Sequence, residues 1–209
     1  MRKALLWVLA IALVPGCVFA VDGVVLINQS TVMAAGGFPY LINQPGSYKL
    51  AGNLVVPAGK NGIQISVPRV TLDLNGFSIT TPDPAATPPF FLGIQYTSAV
   101  TPTSIVIRGG TVDGFEVPIQ LISTTGINCQ YCTFTDLITR VPLGGSSWDL
   151  GIWTRVENVT AVNSEINVIC PSVVVNTVIS TISQHFFAPG DPNPPSQGAC
   201  TFVNNATAF

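Results

Sequence analysis

The chain has 209 residues, carries 8 Lys and Arg against 10 Asp and Glu, and is only 9% charged. Sparse and slightly acidic charge excludes a nucleic-acid binder or a ligand of anionic membranes, both of which need clustered cations. Val, Ile, Thr, Gly, Pro and Asn dominate, and helix-forming runs are missing after the first 20 residues, so an all-α fold is excluded as well.

Residues 1–20 open with Arg2 and Lys3, continue as "ALLWVLAIALV" and reach "CVFA". A basic start, a short apolar core and small or apolar residues at Val18 and Ala20 read as an export signal. "LVPGC" also resembles a lipoprotein box with Cys17 as the lipidated residue; that alternative would change a secreted protein into an anchored one. Cleavage after Ala20 takes 20 residues from the 209 and leaves 189, enough for one domain with a substantial core. No later apolar run is long enough to span a bilayer.

The mature domain is expected over 21–209. "GVVLINQ" and "FPYLINQPGSYKLAGNLVV" are strand-and-turn text, read as an N-terminal cap over 21–53. Segments that resemble one another follow: "GIQISVPRVTLDLNGFSI" from Gly62, "GIQY" with "SIVIRGGTVDGF" from Gly93, "PIQLISTTGINCQYCTFTDL" from Pro118, "GIWTRVENVTAVNS" from Gly151 and "INVICPSVVVNTVIS" from Ile166. "IVIRGGTVDGF" lies over "INCQYCTFTDL" without a gap, an offset of 22 residues, and Asn158 and Asn176 are 18 apart. Repeats near twenty residues, rich in β-branched side chains, predict stacked coils of short parallel strands. About six coils are expected, with Leu72, Ile107, Ile127, Cys129, Phe134, Val156, Val173 and Val175 among the inward residues. Three Pro- or Gly-rich stretches, 80–91, 139–150 and 188–200, are read as loops, and 188–209 as a C-terminal cap.

"PGSYKLAGNL", "GIQISVPRVTLDLNGFSI", "GIQY" and "SIVIRGGTVDGF" together resemble secreted bacterial proteins of the pectin lyase-like superfamily, over roughly residues 38–180 and best over 62–115. The resemblance implies an all-β fold, a single-stranded right-handed parallel β-helix. It implies little about activity, because that superfamily holds lyases, hydrolases, adhesins and tail-spike proteins. Its enzymes act on the outer face, the lyases through a basic residue often with calcium on carboxylates, the hydrolases through clustered Asp.

A search for such a cluster gives few groups. In the expected register the outward column through Asp73 reads Asp73, Arg108, Gln130, Glu157, a self-complementary ladder. Asp113 falls over Thr135 and Asp136 over Gly114, so Asp113, Asp136, Arg108 and Arg140 are the candidate catalytic groups. No third acid joins them in register; no cofactor is expected, and calcium stays an open but unsupported alternative. Asn75, Asn158 and Asn176 stand at strand-to-turn positions, where Asn tolerates left-handed backbone and can bond along a ladder. Cys129, Cys132, Cys170 and Cys200 are candidates for disulfides, with the pairing open. One His, His185, is too few for a zinc site beside Cys129-x-x-Cys132. Trp148, Asp149, Trp153 and Tyr96 are the candidate carbohydrate contacts, since sugars stack on aromatic faces beside polar groups.

The reading that follows is an exported module, non-catalytic, that binds polysaccharide or serves as a surface or matrix element. The alternative is a polysaccharide lyase or glycoside hydrolase. Oligomeric state is open.

Overall fold

The computed structural model describes residues 23–82, 91–141, 146–150, 153–168, 171–181 and 201–207. Its strands are short. They are β1 (Val24–Ile27), β2 (Tyr40–Ile42), β3 (Gly46–Leu50), β4 (Leu54–Val55), β5 (Ile63–Ile65), β6 (Val70–Asp73), β7 (Ser78–Thr80), β8 (Leu92–Tyr96) and β9 (Val106–Asp113). β10 (Val117–Gln120), β11 (Thr133–Arg140), β12 (Ser146–Leu150), β13 (Arg155–Glu157), β14 (Thr160–Val168), β15 (Val173–Val175), β16 (Val178–Thr181), β17 (Thr201–Val203) and β18 (Ala206–Thr207) complete them. One short helix, α1 (Gln29–Ala34), follows β1.

The strands form a 14-stranded parallel sheet and a four-stranded parallel sheet. The larger is built on the ladder β1-β3-β6-β9-β11-β13-β15-β17. β4, β7, the second half of β9, the second half of β11, β14, β16 and β18 continue it past a bend. The smaller runs β2-β5-β8-β10. None of these strands pairs with its chain neighbour, so each rung obtains its hydrogen bonds from residues about one repeat away.

Alternation decides what each rung buries. Tyr48, Leu72, Ile107, Phe134, Val156 and Val174 stand in register and fill the interior behind the main ladder. Ile63, Ile94 and Ile119 do the same for the smaller sheet, and Leu54, Ile79, Val112 and Ala161 for the bend beyond. Fully burying such side chains stabilises by roughly 1.5–3 kcal/mol each. Where the sheets crowd, only glycine fits: a Cβ on Gly93 would meet Val112 Cγ1 and the Pro118 carbonyl oxygen.

Several expectations need correcting. The offset between the second and third segments is 27, not 22: Val106 pairs with Thr133, Ile107 with Phe134 and Arg108 with Thr135. Ile127 is therefore exposed, not in the core. In β15 the middle residue Val174 is buried, while Val173 and Val175 are half-buried on the outside. Three consecutive valines carry no phase of their own; pairing of Val174 with Val156, between Arg155 and Glu157, sets it. The stretch 139–150 is not simply a loop: Thr139 and Arg140 end β11, and 146–150 form β12 against β14.

Residues 21–53, expected as a cap, contribute β1, β3 and β2 to the two sheets. Only α1 covers an edge. Asn28 caps it, accepting from the Thr31 amide at 3.0 Å, while Thr31 Oγ1 accepts from the Asn28 amide at 2.8 Å. The side-chain amide of Gln29 then clasps edge strand β4: Nε2 donates to the Val55 carbonyl at 3.2 Å and Oε1 accepts from the Val55 amide at 3.0 Å. Residues 201–207 of the expected C-terminal cap form β17 and β18, which extend the large sheet by one rung.

Candidate functional site

The main ladder is framed by two columns of left-handed backbone. Past its end stand Asn75 (φ 53°), Gly109 (φ 73°), Asp136 (φ 55°), Asn158 (φ 52°), Asn176 (φ 48°) and Asn204 (φ 51°). Before its start stand Arg69 (φ 59°), Ser104 (φ 54°), Tyr131 (φ 55°) and Trp153 (φ 53°). Each column turns the chain sharply on successive rungs, the first from β6 to β17 and the second from β6 to β13. For residues other than Gly this conformation costs about 1–2 kcal/mol, least for Asn and Asp.

The first column relieves that cost with its own side chains. Asn158 Nδ2 donates to Asp136 Oδ1 at 2.9 Å, and Asn176 Nδ2 donates to Asn158 Oδ1 at 3.3 Å. Asn75 Nδ2 donates to the Leu50 carbonyl at 3.2 Å. Asp136 is thus one member of an amide ladder, not a free carboxylate on a strand.

The second column is different. Tyr131 and Trp153 are bulky residues in a region that bulky residues rarely adopt. They stack on each other with ring centroids 4.8 Å apart and planes within 5°. The spacing is that of adjacent strands, because both rings leave the same corner one rung apart. Both are exposed, Tyr131 by 54% and Trp153 by 46%. On the Trp153 side the next corner is Pro171, whose carbonyl accepts the Trp153 amide. On the Tyr131 side it is Ser104, exposed and small, with exposed Arg69 one rung further. Cys129 and Cys132, both buried, are joined in a disulfide that spans the Tyr131 corner. Cys170 and Cys200 lie outside the described residues.

The charged candidates do not converge on one patch: Asp113 meets Arg140, but Arg108 and Asp136 are bound elsewhere. Arg108 binds Asp73, with Nη2 3.0 Å and Nε 3.2 Å from Oδ2. The column continues through Thr135, not Gln130; Gln130 instead bridges Thr103 before the corner. Glu157 does stand next in that column, bound by Arg155 at 2.7 Å. Asp113 is paired with Arg140 at 3.7 Å, five positions along β9 from Arg108 and beyond the bend at Gly109. The expected juxtapositions of Asp113 with Thr135 and Asp136 with Gly114 do not occur. Each exposed ion pair is worth about 0–1 kcal/mol. Burial raises the pKa of the Glu116 carboxyl. Among the described residues no three His, Cys, Asp or Glu are arranged to hold a metal ion, and no helix is long and apolar enough to cross a membrane.

Tyr96 is removed from the binding candidates: it is buried, its side chain turned into the core between the sheets. Trp148 and Asp149 lie on β12, in register with Ile166 and Asn167 of β14. His185 falls outside the described residues. A further polar row runs along the smaller sheet, where Gln64, Gln95 and Gln120 stand in register. Gln64 Nε2 and Asn61 Nδ2 both donate to Gln95 Oε1, at 3.2 and 3.0 Å, so these amides serve one another.

Tyr131, Ser104 and Arg69 are the residues that sequence reasoning misses. One signal was available: "YCT" and "WTR" place an aromatic two residues before an outward strand residue, at equivalent points of adjacent repeats. No protein-family model, curated protein or solved structure matches this chain.

Proposed function

We propose that the chain is an exported right-handed parallel β-helix that binds polysaccharide without chemical turnover, as a secreted or surface-held module. The observation that carries this is the exposed Tyr131–Trp153 stack at a strained corner. Backbone strain held at a few positions marks sites kept for something other than stability. The open face of Tyr131 looks along the column over Ser104. A pyranose ring can lie against that face, its C–H bonds on the ring and its hydroxyls towards Ser104 Oγ. Arg69, which has no carboxylate partner among the described residues, bounds the far side.

The parallel registers and the two columns of left-handed corners support the β-helix reading. Asp113 is held by Arg140 and Asp136 by Asn158, which favours binding over catalysis, since hydrolysis needs a working pair of carboxyls within roughly 5–10 Å of each other. Export rests on residues 1–20, with Cys17 lipidation as the route to surface attachment.

The test is a panel of neutral and acidic polysaccharides scored by affinity electrophoresis and by tryptophan fluorescence. At least one should bind the wild-type chain, and Tyr131→Ala and Trp153→Ala should each weaken it by tenfold or more. New reducing or unsaturated ends, abolished by Asp113→Asn or Arg140→Gln, would overturn the non-catalytic reading.

A further inference from the structure

The two ends of the large sheet share a chemistry that its middle lacks. Along one outward column the residues run Leu26, Lys49, Asp73, Arg108, Thr135, Glu157, Val175, Val203. Charge and hydroxyl occupy the centre; Leu26 and Val203, both exposed, occupy the extremes. The interior column behaves alike. Tyr48, Leu72, Ile107, Phe134, Val156 and Val174 are buried, but its two terminal members, Val25 and Phe202, are exposed. The other faces repeat the pattern at the N-terminal edge, where exposed Leu41 and Val55 precede Gln64 and Thr80.

Terminal strands are normally protected by Lys, Pro or a covering element, because an unpaired edge recruits further strands. Edge strand β4 has such a cover in Gln29. β1 and β17 do not: β1 pairs only with β3, and β17 only with β15, among the described residues. Their sequences, VVLI and TFV, contain no charge and no proline.

We propose that the chain associates head to tail with further copies of itself, β17 of one copy pairing in parallel with β1 of the next. A second copy is the occupant because each end carries what the other requires. The two edges belong to one parallel ladder, so their strand directions already agree. Extending the columns places Thr201 on Val24, Phe202 on Val25 and Val203 on Leu26 of the following copy. Both exposed members of the interior column become buried and no charge is enclosed. The contact is heterologous and does not close on itself, so assembly is open-ended.

Sedimentation velocity on the exported full chain over a wide concentration range tests this. The wild type is expected to show a size distribution that shifts upward with concentration and has no single end state. Leu26→Lys blocks one end and Val203→Lys the other; both positions are exposed, so the monomers fold, which circular dichroism verifies. Each variant alone should stay monomeric, its self-association weakened tenfold or more. Mixed in equal amounts, they should form a dimer and grow no further, since each retains the end that the other has lost. A wild type that remains monomeric at several hundred micromolar, a wild type that stops at a dimer, or a mixture that stays monomeric would each overturn the proposal.

Discussion

The two corner columns solve one geometric problem with opposite residues. Both turn the chain through left-handed backbone on successive rungs, at φ values between 48° and 73°. The Asn75–Asn204 column is filled by Asn, Asp and Gly, which accept that conformation and, at Asp136, Asn158 and Asn176, bond to one another. The Arg69–Trp153 column is filled by residues that gain nothing from it. A fold needing only stability would place Asn or Gly at Tyr131 and Trp153. Identical backbone demand thus separates a corner built to hold from a corner built to present.

The most disruptive way to challenge this contrast is to empty the rung between the corners. Phe134→Ala is expected to cost about 3–5 kcal/mol in urea unfolding, because the buried ring spans the interior between Ile107 and Val156. Both corners should loosen in one transition; a change confined to the Tyr131–Trp153 stack would mean that they are independent. Next in size is a matched pair of corner substitutions. Asn158→Ala should destabilise by about 1–2 kcal/mol, since it removes both ladder bonds and leaves a poorer left-handed residue. Trp153→Asn should leave stability unchanged or raise it by up to ~1 kcal/mol while the proposed polysaccharide binding disappears. If Trp153→Asn proves the more destabilising of the two, the division between holding and presenting corners is wrong.

The smallest effect lies away from both columns and serves as their control. Burial raises the Glu116 pKa in the folded chain, so the folded state holds that proton more tightly than the unfolded one. Its contribution is therefore present at low pH and lost as pH rises through the folded pKa. Glu116→Gln should raise the melting temperature above that range and leave it unaltered below, with the aromatic stack's fluorescence constant throughout.

Much of the rung-building was legible in the sequence, and register was not, for a single physical reason. Alternating β-branched text such as "VTLD" and "IVIR" shows which residues face inward, so Leu72, Ile107 and Val156 could be placed, as could Asp73 beside Arg108. The same text is nearly self-similar under small shifts. That is why "IVIRGGTVDGF" slid five residues along its neighbour and carried Gln130 and Ile127 into the wrong columns. Corner residues are the markers that would have stopped the slide. Asn75, Asn158 and Asn176 could be read as corners because Asn favours left-handed backbone. Ser104, Tyr131 and Trp153 could not, because nothing in their intrinsic preferences announces one. Trp153 was legible as an aromatic contact, but its partners Tyr131, Ser104 and Arg69 stayed hidden because they break the local rule.

The clasp of Gln29 on β4 has a consequence of its own. Both of its bonds end on the main chain of Val55, at the carbonyl and the amide, and neither touches a side chain. Such a lid is blind to the sequence beneath it. Any rung brought under it would be closed equally well, so the number of rungs between lid and far end is free to change by duplication or loss. The architecture sets how a rung is made and how the β4 edge is closed, and leaves the length of the molecule open to selection.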